Sequence, residues 1–129
     1  MKQLLLTKNL LAKLPALGTT DDKKPEDIKV PVKFFSPYSN WTWYLYEYEP
    51  GTRMFFGLVC GFEKEFGYVS LDELEAAVKK MRTGTLQLVE RDTHWNSNTT
   101  LREVCQREKV VIGYVDGLNT ALDAILNKG

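Results

Sequence analysis

The chain has 129 residues, and its 17 basic and 17 acidic side chains give a formal charge of zero at pH 7. This length suits a single domain, so we expect residues 1–129 to share one core. The balanced charge excludes a global field that would draw the chain to nucleic acid or to an anionic membrane. A charged partner therefore has to be met by a local patch.

The start of the chain and its cysteines bear on the compartment. The apolar run within Met1–Leu6 is too short for a signal peptide, and nowhere do about 18 apolar residues stand together as a membrane span requires. Cys60 and Cys105 lack the C-x-x-C spacing of redox and metal sites. We therefore expect a cytoplasmic protein with two buried, reduced thiols, no membrane association and no cofactor.

A helix cap and a change in the spacing of apolar residues predict the first helix and the first strands. Thr7 before a leucine-rich turn predicts a short N-terminal helix, which Pro15 ends. From residue 30 the apolar residues alternate, and clusters of turn formers separate three strand candidates. These candidates are Val30–Phe35, Trp41–Glu49 and Met54–Phe62. An antiparallel meander is the simplest topology for them.

The second half of the chain is predicted to alternate between helix and strand. Ser70 and Glu73 have the spacing of a capping box, and the apolar residues that follow fall at helical steps, which predicts a helix over 70–81. Thr100 and Glu103 repeat this spacing before a second helix, from Leu101 to about Glu108. The remaining candidates are strands at 85–90 and 110–115 and a helical stripe at 118–125.

Together these elements predict the α+β class. We expect an antiparallel sheet of about four to five strands, with the helices packed mainly on one face.

The strand candidate 41–49 carries aromatic side chains on both faces. Trp41 and Trp43 fall on one face, and Tyr44, Tyr46 and Tyr48 fall on the other. One interpretation is a binding surface on which unpaired bases stack, each worth roughly 1–3 kcal/mol, with Arg91 as a nearby cation. The alternative is that one face is core and that the tyrosine face packs against aromatic or long side chains of neighbouring strands. We favour this alternative, because no Lys or Arg alternates with the tyrosines to follow a phosphate backbone.

The polar residues after the strand at 85–90 suggest a catalytic alternative. Glu90, Asp92 and His94 lie within five positions, and a divalent-metal nuclease could be built from them with a sheet carboxylate such as Glu63. The simpler interpretation is a solvated strand end with an ordinary ion pair. No H-E-x-x-H motif or paired C-x-x-C motif supports a metal framework.

The segment 44–75 is acidic, with seven carboxylates against Arg53 and Lys64. Carboxylates on a sheet can imitate the phosphates of DNA and occupy a DNA-binding protein. The alternative is an ordinary acidic surface, which the zero net charge favours.

An ordered set of motifs resembles an uncharacterised family of small bacterial proteins carried by plasmids, integrating elements and phages. The motifs are Leu4-Leu5-Leu6-Thr7, Val32-Lys33-Phe34-Phe35-Ser36-Pro37, Asn40-Trp41-Thr42-Trp43-Tyr44, Phe55-Phe56-Gly57-Leu58-Val59, Gly61-Phe62-Glu63, Glu65-Phe66-Gly67-Tyr68, Ser70-Leu71-Asp72-Glu73-Leu74 and Glu90-Arg91-Asp92. The resemblance covers most of residues 1–95, which leaves 96–129 as a variable C-terminal extension. It implies an accessory role in mobile-element biology and supplies no catalytic residues.

We therefore expect a non-catalytic binding protein of a mobile element. Its partner would be nucleic acid, either single-stranded DNA or RNA, or a host protein that handles DNA. The alternative is the metal-dependent nuclease or another hydrolase. An aromatic face left uncovered would predict a homodimer through it.

Overall fold

The structure is a computed structural model that describes residues 3–111, and an antiparallel sheet of five strands forms its centre. Seven strands are present in this part of the chain: β1 Val32–Phe35, β2 Thr42–Glu49, β3 Met54–Cys60, β4 Lys64–Ser70, β5 Val78–Met81, β6 Gly84–Gln87 and β7 Glu90–Arg91. The main sheet has the order β4-β3-β2-β1-β7, while β5 and β6 form a separate two-stranded ribbon. The predicted α+β class and antiparallel meander are confirmed.

In the described part of the chain, three short α-helices accompany the sheet: α1 Lys8–Leu11, α2 Leu71–Ala76 and α3 Leu101–Glu108. All three predicted caps are present. The side chains of Thr7, Ser70 and Thr100 each accept a hydrogen bond from the backbone N–H three residues later. At α3 the Glu103 side chain also bonds back to the cap residue, which completes a capping box.

The sheet is covered on both faces, because alternate residues of β2 and β3 enter two separate cores. The first core contains Trp43 and Leu45 of β2 with Leu71 and Leu74 of α2. The second contains Tyr44 and Tyr46 with three side chains of α3, namely Leu101, Val104 and Cys105. Within residues 3–111, α1 and α2 thus pack on the first face and α3 packs on the second.

The predicted helix over 70–81 is shorter in the structure. α2 ends at Ala76, and Val78–Met81 instead forms β5, which pairs with β6. Val78 and Met81 are three residues apart, which fits the helical period better than the alternation of a strand, so the pairing with β6 decides the conformation against the local pattern. Instead of the single strand predicted at 85–90, the structure has two strands in this region, β6 and β7.

A β-bulge interrupts the alternation in β2. Leu45 pairs with Gly57 and Glu47 pairs with Phe56, so Tyr46 is an extra residue on this strand. Tyr48 consequently enters the first core, whereas Tyr44 and Tyr46 enter the second. The prediction that the three tyrosines share one face is therefore wrong for Tyr48.

Two predicted C-terminal elements fall largely outside the described residues. The helical stripe at 118–125 lies wholly beyond residue 111, as does most of the strand predicted at 110–115. Within residues 3–111, no helix has the length and apolar character needed to cross a membrane.

Two buried thiols and two buried tyrosine hydroxyls predict that the protein loses stability at high pH. Burial raises the pKa of Cys60 to about 12 and that of Cys105 to about 11, and it raises the pKa of Tyr44 and Tyr46 above 10.0. The folded state therefore keeps protons that the unfolded chain loses above its ordinary pKa values of 9.0 and 10.0. We expect the free energy of unfolding to be independent of these groups below pH 9 and to fall as the pH rises toward about 12.

Urea unfolding at successive pH values measures this dependence. In the double variant Cys60→Ala/Cys105→Ala the decline with pH should be shallower, since two of the four groups are gone. Stability that stays constant up to pH 11 would contradict the prediction.

Candidate functional site

The predicted tyrosine surface lies in the interior. Tyr44 is 2% exposed, and Tyr46 and Tyr48 are each 5% exposed. The Tyr44 hydroxyl donates a 2.6 Å hydrogen bond to the Glu108 carboxylate. Burial acts to raise the pKa of Glu108, but hydrogen bonds from Tyr44 and Lys64 outweigh it and lower that pKa. An unpaired nucleobase therefore cannot reach these tyrosine rings while the sheet is folded.

The two tryptophans of the same strand region differ in exposure. Trp43 is buried in the first core, while Trp41 is half-buried and stacks on Trp43 with ring centroids 5.9 Å apart. Phe62, which is 95% exposed, meets Trp41 edge-on at 5.5 Å. Trp41 is thus the most accessible aromatic side chain of those predicted on β2.

The acidic residues at the end of β7 do not converge on one point. Asp92 forms an ion pair of 3.3 Å with Lys33 and accepts a hydrogen bond from the backbone of His94. Glu90 lines a different cavity from Asp92. Glu63 lies between β3 and β4, at the opposite edge of the sheet from β7. Among residues 3–111, no three His, Cys, Asp or Glu side chains form a group suited to a metal ion.

Arg91 is tied to the N-terminal segment. Its guanidinium donates to the carbonyl of Leu4, and its backbone N–H donates to the side chain of Gln3. The same Gln3 amide donates to the Arg91 carbonyl at 3.2 Å. One glutamine side chain therefore satisfies both outward backbone groups of the edge strand β7, where a sheet is otherwise open to further pairing.

The carboxylates of the acidic segment are dispersed. Glu47 is only 2% exposed, and both Asp72 and Glu75 form ion pairs with Arg53. Glu49 accepts a hydrogen bond from the backbone N–H of Gly51. Four of the seven acidic side chains are thus buried or engaged locally, which removes them from a continuous phosphate-like face.

The strongest candidate surface is the ribbon formed by β5 and β6, which the helical interpretation of 70–81 concealed. Its strands pair from Val78 with Gln87 to Met81 with Gly84, so the turn has only two residues, Arg82-Thr83. Gly84 follows the turn with φ = 141°, a conformation that other residues rarely adopt. The ribbon is therefore a tight hairpin.

The ribbon is basic and exposed. Lys79, Lys80, Met81 and Arg82 are all exposed, and residues 76–89 contain no acidic side chain. Alternation places Lys79 on one face of the ribbon and Lys80 on the other, opposite Thr85. In a chain of zero net charge, this is a local patch of three positive charges.

The base of the ribbon is fixed to the main fold by side-chain amides. The Gln87 amide accepts from the Gln3 N–H at 2.7 Å and donates to the Gln3 carbonyl at 3.0 Å. Gln3 in turn pairs with Arg91, so the ribbon, the N-terminal segment and the edge of the sheet form one connected array. The Leu88 N–H also donates to the Ala77 carbonyl, which closes the ribbon at its base.

A cavity of about 480 Å³ opens beside this base. It is lined by side chains of the ribbon, by Tyr38 from the loop between β1 and β2, and by Glu90 of β7. Tyr38 is 57% exposed, the largest exposure of any tyrosine except Tyr68 among the described residues. The cavity therefore combines an accessible aromatic ring with a carboxylate at the base of the basic ribbon.

Two signals in the sequence point to this surface. Residues 76–89 carry three cations and no acid, and Arg82-Thr83-Gly84 separates two short runs in the manner of a two-residue hairpin. Tyr38 has no comparable signal, because a tyrosine among turn formers is common and only the folded chain brings it beside β6 and β7.

A protein-family model described as a protein of unknown function (DUF2958) matches residues 5–110. The chain belongs to this family. The match continues past residue 95 and includes α3, whose side chains complete the second core, so the family's fold extends further than the motifs alone indicate. No match was found among curated proteins or among solved structures.

Proposed function

We propose that this chain is a non-catalytic nucleic-acid-binding protein that serves a bacterial mobile element. The mobile-element context rests on the resemblance of its motifs to proteins of plasmids, integrating elements and phages. The nucleic-acid partner rests on one structural observation, the exposed and acid-free β5–β6 ribbon with Lys79, Lys80 and Arg82.

A two-stranded ribbon has the dimensions of a nucleic-acid-binding element, since the major groove of duplex DNA admits one. Cations on both of its faces suit a groove in which phosphates run along both sides. Each phosphate that a Lys or Arg neutralises releases condensed counterions, which supplies affinity that decreases with salt. The rigid attachment of the ribbon through Gln87 and Gln3 holds these cations without loss of loop entropy on binding.

The experiment removes the ribbon's charge while keeping its backbone. In the triple variant Lys79→Gln/Lys80→Gln/Arg82→Gln, we expect affinity for a labelled duplex and for a labelled single strand to fall at least about tenfold. The slope of log K against log salt should become shallower by about 3 for the duplex, about 0.9 for each lost contact. Fluorescence anisotropy over about 50–200 mM salt measures both quantities.

The matched control is Lys8→Gln/Lys23→Gln/Lys24→Gln, which removes three exposed cations elsewhere in the fold. Equal losses in the two triple variants would show a general charge effect and would refute a dedicated ribbon. Absence of binding by the unaltered protein would also refute the proposal. Breakdown of the DNA that requires magnesium would replace it with a nuclease.

A further inference from the structure

We propose that the cavity at the base of the ribbon holds one unpaired guanine, stacked on Tyr38 and hydrogen-bonded to Glu90. This inference rests on the proposed function and adds a base-specific site to it. Its starting point is the cavity of about 480 Å³, which lies within the range of about 300–1,000 Å³ usual for small-molecule sites.

Tyr38 is held ready for stacking by its loop. The Ser36 N–H donates to the Trp41 carbonyl at 3.0 Å, and the Tyr38 N–H donates to the Ser36 hydroxyl at 3.3 Å. The Ser39 hydroxyl accepts from the Trp41 N–H at 3.2 Å. These bonds fix the backbone of the loop, while Tyr38 as a residue stays 57% exposed. A preorganised aromatic ring binds a base at little entropic cost.

Some polar groups of the cavity already have hydrogen-bond partners within the protein, and others do not. The amides of Gln87 and Gln3 are occupied by backbone groups, as described above. Within residues 3–111, neither the Glu90 carboxylate nor the Thr85 hydroxyl has a hydrogen bond or an ion pair. Glu90 is fixed in position because its backbone pairs with Phe35 of β1. The cavity therefore presents one carboxylate that is free to receive donors.

A carboxylate selects among bases by the donors on their edges. It has two acceptor oxygens and no donor, so it matches a pair of adjacent N–H groups. Guanine offers such a pair at N1 and N2 of its pairing edge, while thymine and uracil offer one N–H between two acceptors. An unpaired base exposes this edge and can stack on an aromatic ring at the same time. Guanine is thus the base that fits Glu90 best.

The ribbon accounts for the backbone of the same strand. Lys80 lies opposite Thr85 on one face of the ribbon, and Thr85 lines the cavity. Phosphates are attracted to Lys80 and repelled by Glu90, so the base and not the phosphate is directed into the cavity. One strand can therefore place a phosphate on the ribbon and the adjoining base in the cavity.

The test uses two single-stranded probes, an oligothymidine and the same oligomer with one central guanine. We expect the unaltered protein to bind the guanine probe at least fivefold more tightly. Glu90→Gln should reduce this ratio to about one while leaving affinity for oligothymidine unchanged or higher, because an amide presents one donor and one acceptor and carries no charge. Tyr38→Ala should weaken binding of the guanine probe by about tenfold or more, and Tyr38→Phe should not.

Duplex DNA separates this inference from the proposed function. Neither Glu90→Gln nor Tyr38→Ala should weaken duplex binding, whereas the ribbon triple variant should weaken binding to every probe. If the ribbon is required but the guanine ratio is one, or if Glu90→Gln retains the ratio, the cavity is not a guanine site and the proposed function stands. If the ribbon triple variant binds like the unaltered protein, the proposed function itself fails.

Discussion

Gly57→Ala should destabilise the fold by about 4 kcal/mol or prevent folding, a large part of the roughly 5–15 kcal/mol that holds a domain of this size together. A Cβ at residue 57 would lie 2.0 Å from the carbonyl oxygen of Tyr44 and 2.8 Å from the Cα of Leu45. Both atoms belong to the backbone of β2, which cannot move aside as a flexible side chain would. The central pair of the sheet, β2 with β3, would have to separate.

Gly67 provides a matched control because it stands directly opposite Gly57 in the pairing of β3 with β4. A Cβ on Gly67 would meet no atom within 4 Å. We expect Gly67→Ala to change the free energy of unfolding by less than about 1 kcal/mol. The change can be an increase, because alanine lowers the conformational entropy of the unfolded chain. Urea unfolding followed by tryptophan fluorescence compares the two variants, and similar losses in both would contradict the close approach at Gly57.

Glu47→Gln should cost about 3 kcal/mol. The buried Glu47 carboxylate accepts 2.9 Å hydrogen bonds from the backbone N–H groups of Gly18 and Thr20, and a further bond from the Thr20 hydroxyl. A glutamine of the same shape would turn an NH₂ group toward at least one of these donors and leave it unsatisfied. The loss of a charged acceptor from buried donors is among the larger single-residue effects.

The change at Glu47 should act first on the loop that it holds. Trypsin cleavage after Lys23 should accelerate in Glu47→Gln under native conditions, because the loop is then less firmly attached. Glu65→Gln is the control, since Glu65 is exposed on edge strand β4, and we expect its effect to stay within about 0.5 kcal/mol. Unchanged cleavage and unchanged unfolding in Glu47→Gln would mean that the carboxylate does not hold the loop.

Local signals of the sequence predicted much of this fold. The caps at Thr7, Ser70 and Thr100 involve residues three apart, so they form from neighbouring atoms whatever the rest of the chain does. The alternation in 30–60 likewise gave β1, β2 and β3 close to their observed bounds. Since consecutive antiparallel strands usually pair, the meander followed from these strands without further information.

The errors arose where distant contacts decide between local alternatives. Leu71, Leu74 and Val78 are spaced as in a helix, yet Val78 belongs to a strand because it pairs with Gln87. The candidate site depends on this same pairing, so it was hidden together with β5. The sequence favoured a packed position for Tyr44 and Tyr46, but it did not indicate that α3 is the element that covers them on the second face.

The extra residue in β2 also affects how members of the family should be aligned. A bulge is a single-residue insertion, and it reverses the facing of every residue that follows it in the strand. A relative without the bulge would carry the counterpart of Tyr48 one position earlier in its sequence. Alignments of this chain with such relatives therefore need a gap at residue 46. Without that gap, residues of β2 that face one core would be aligned with residues that face the other core.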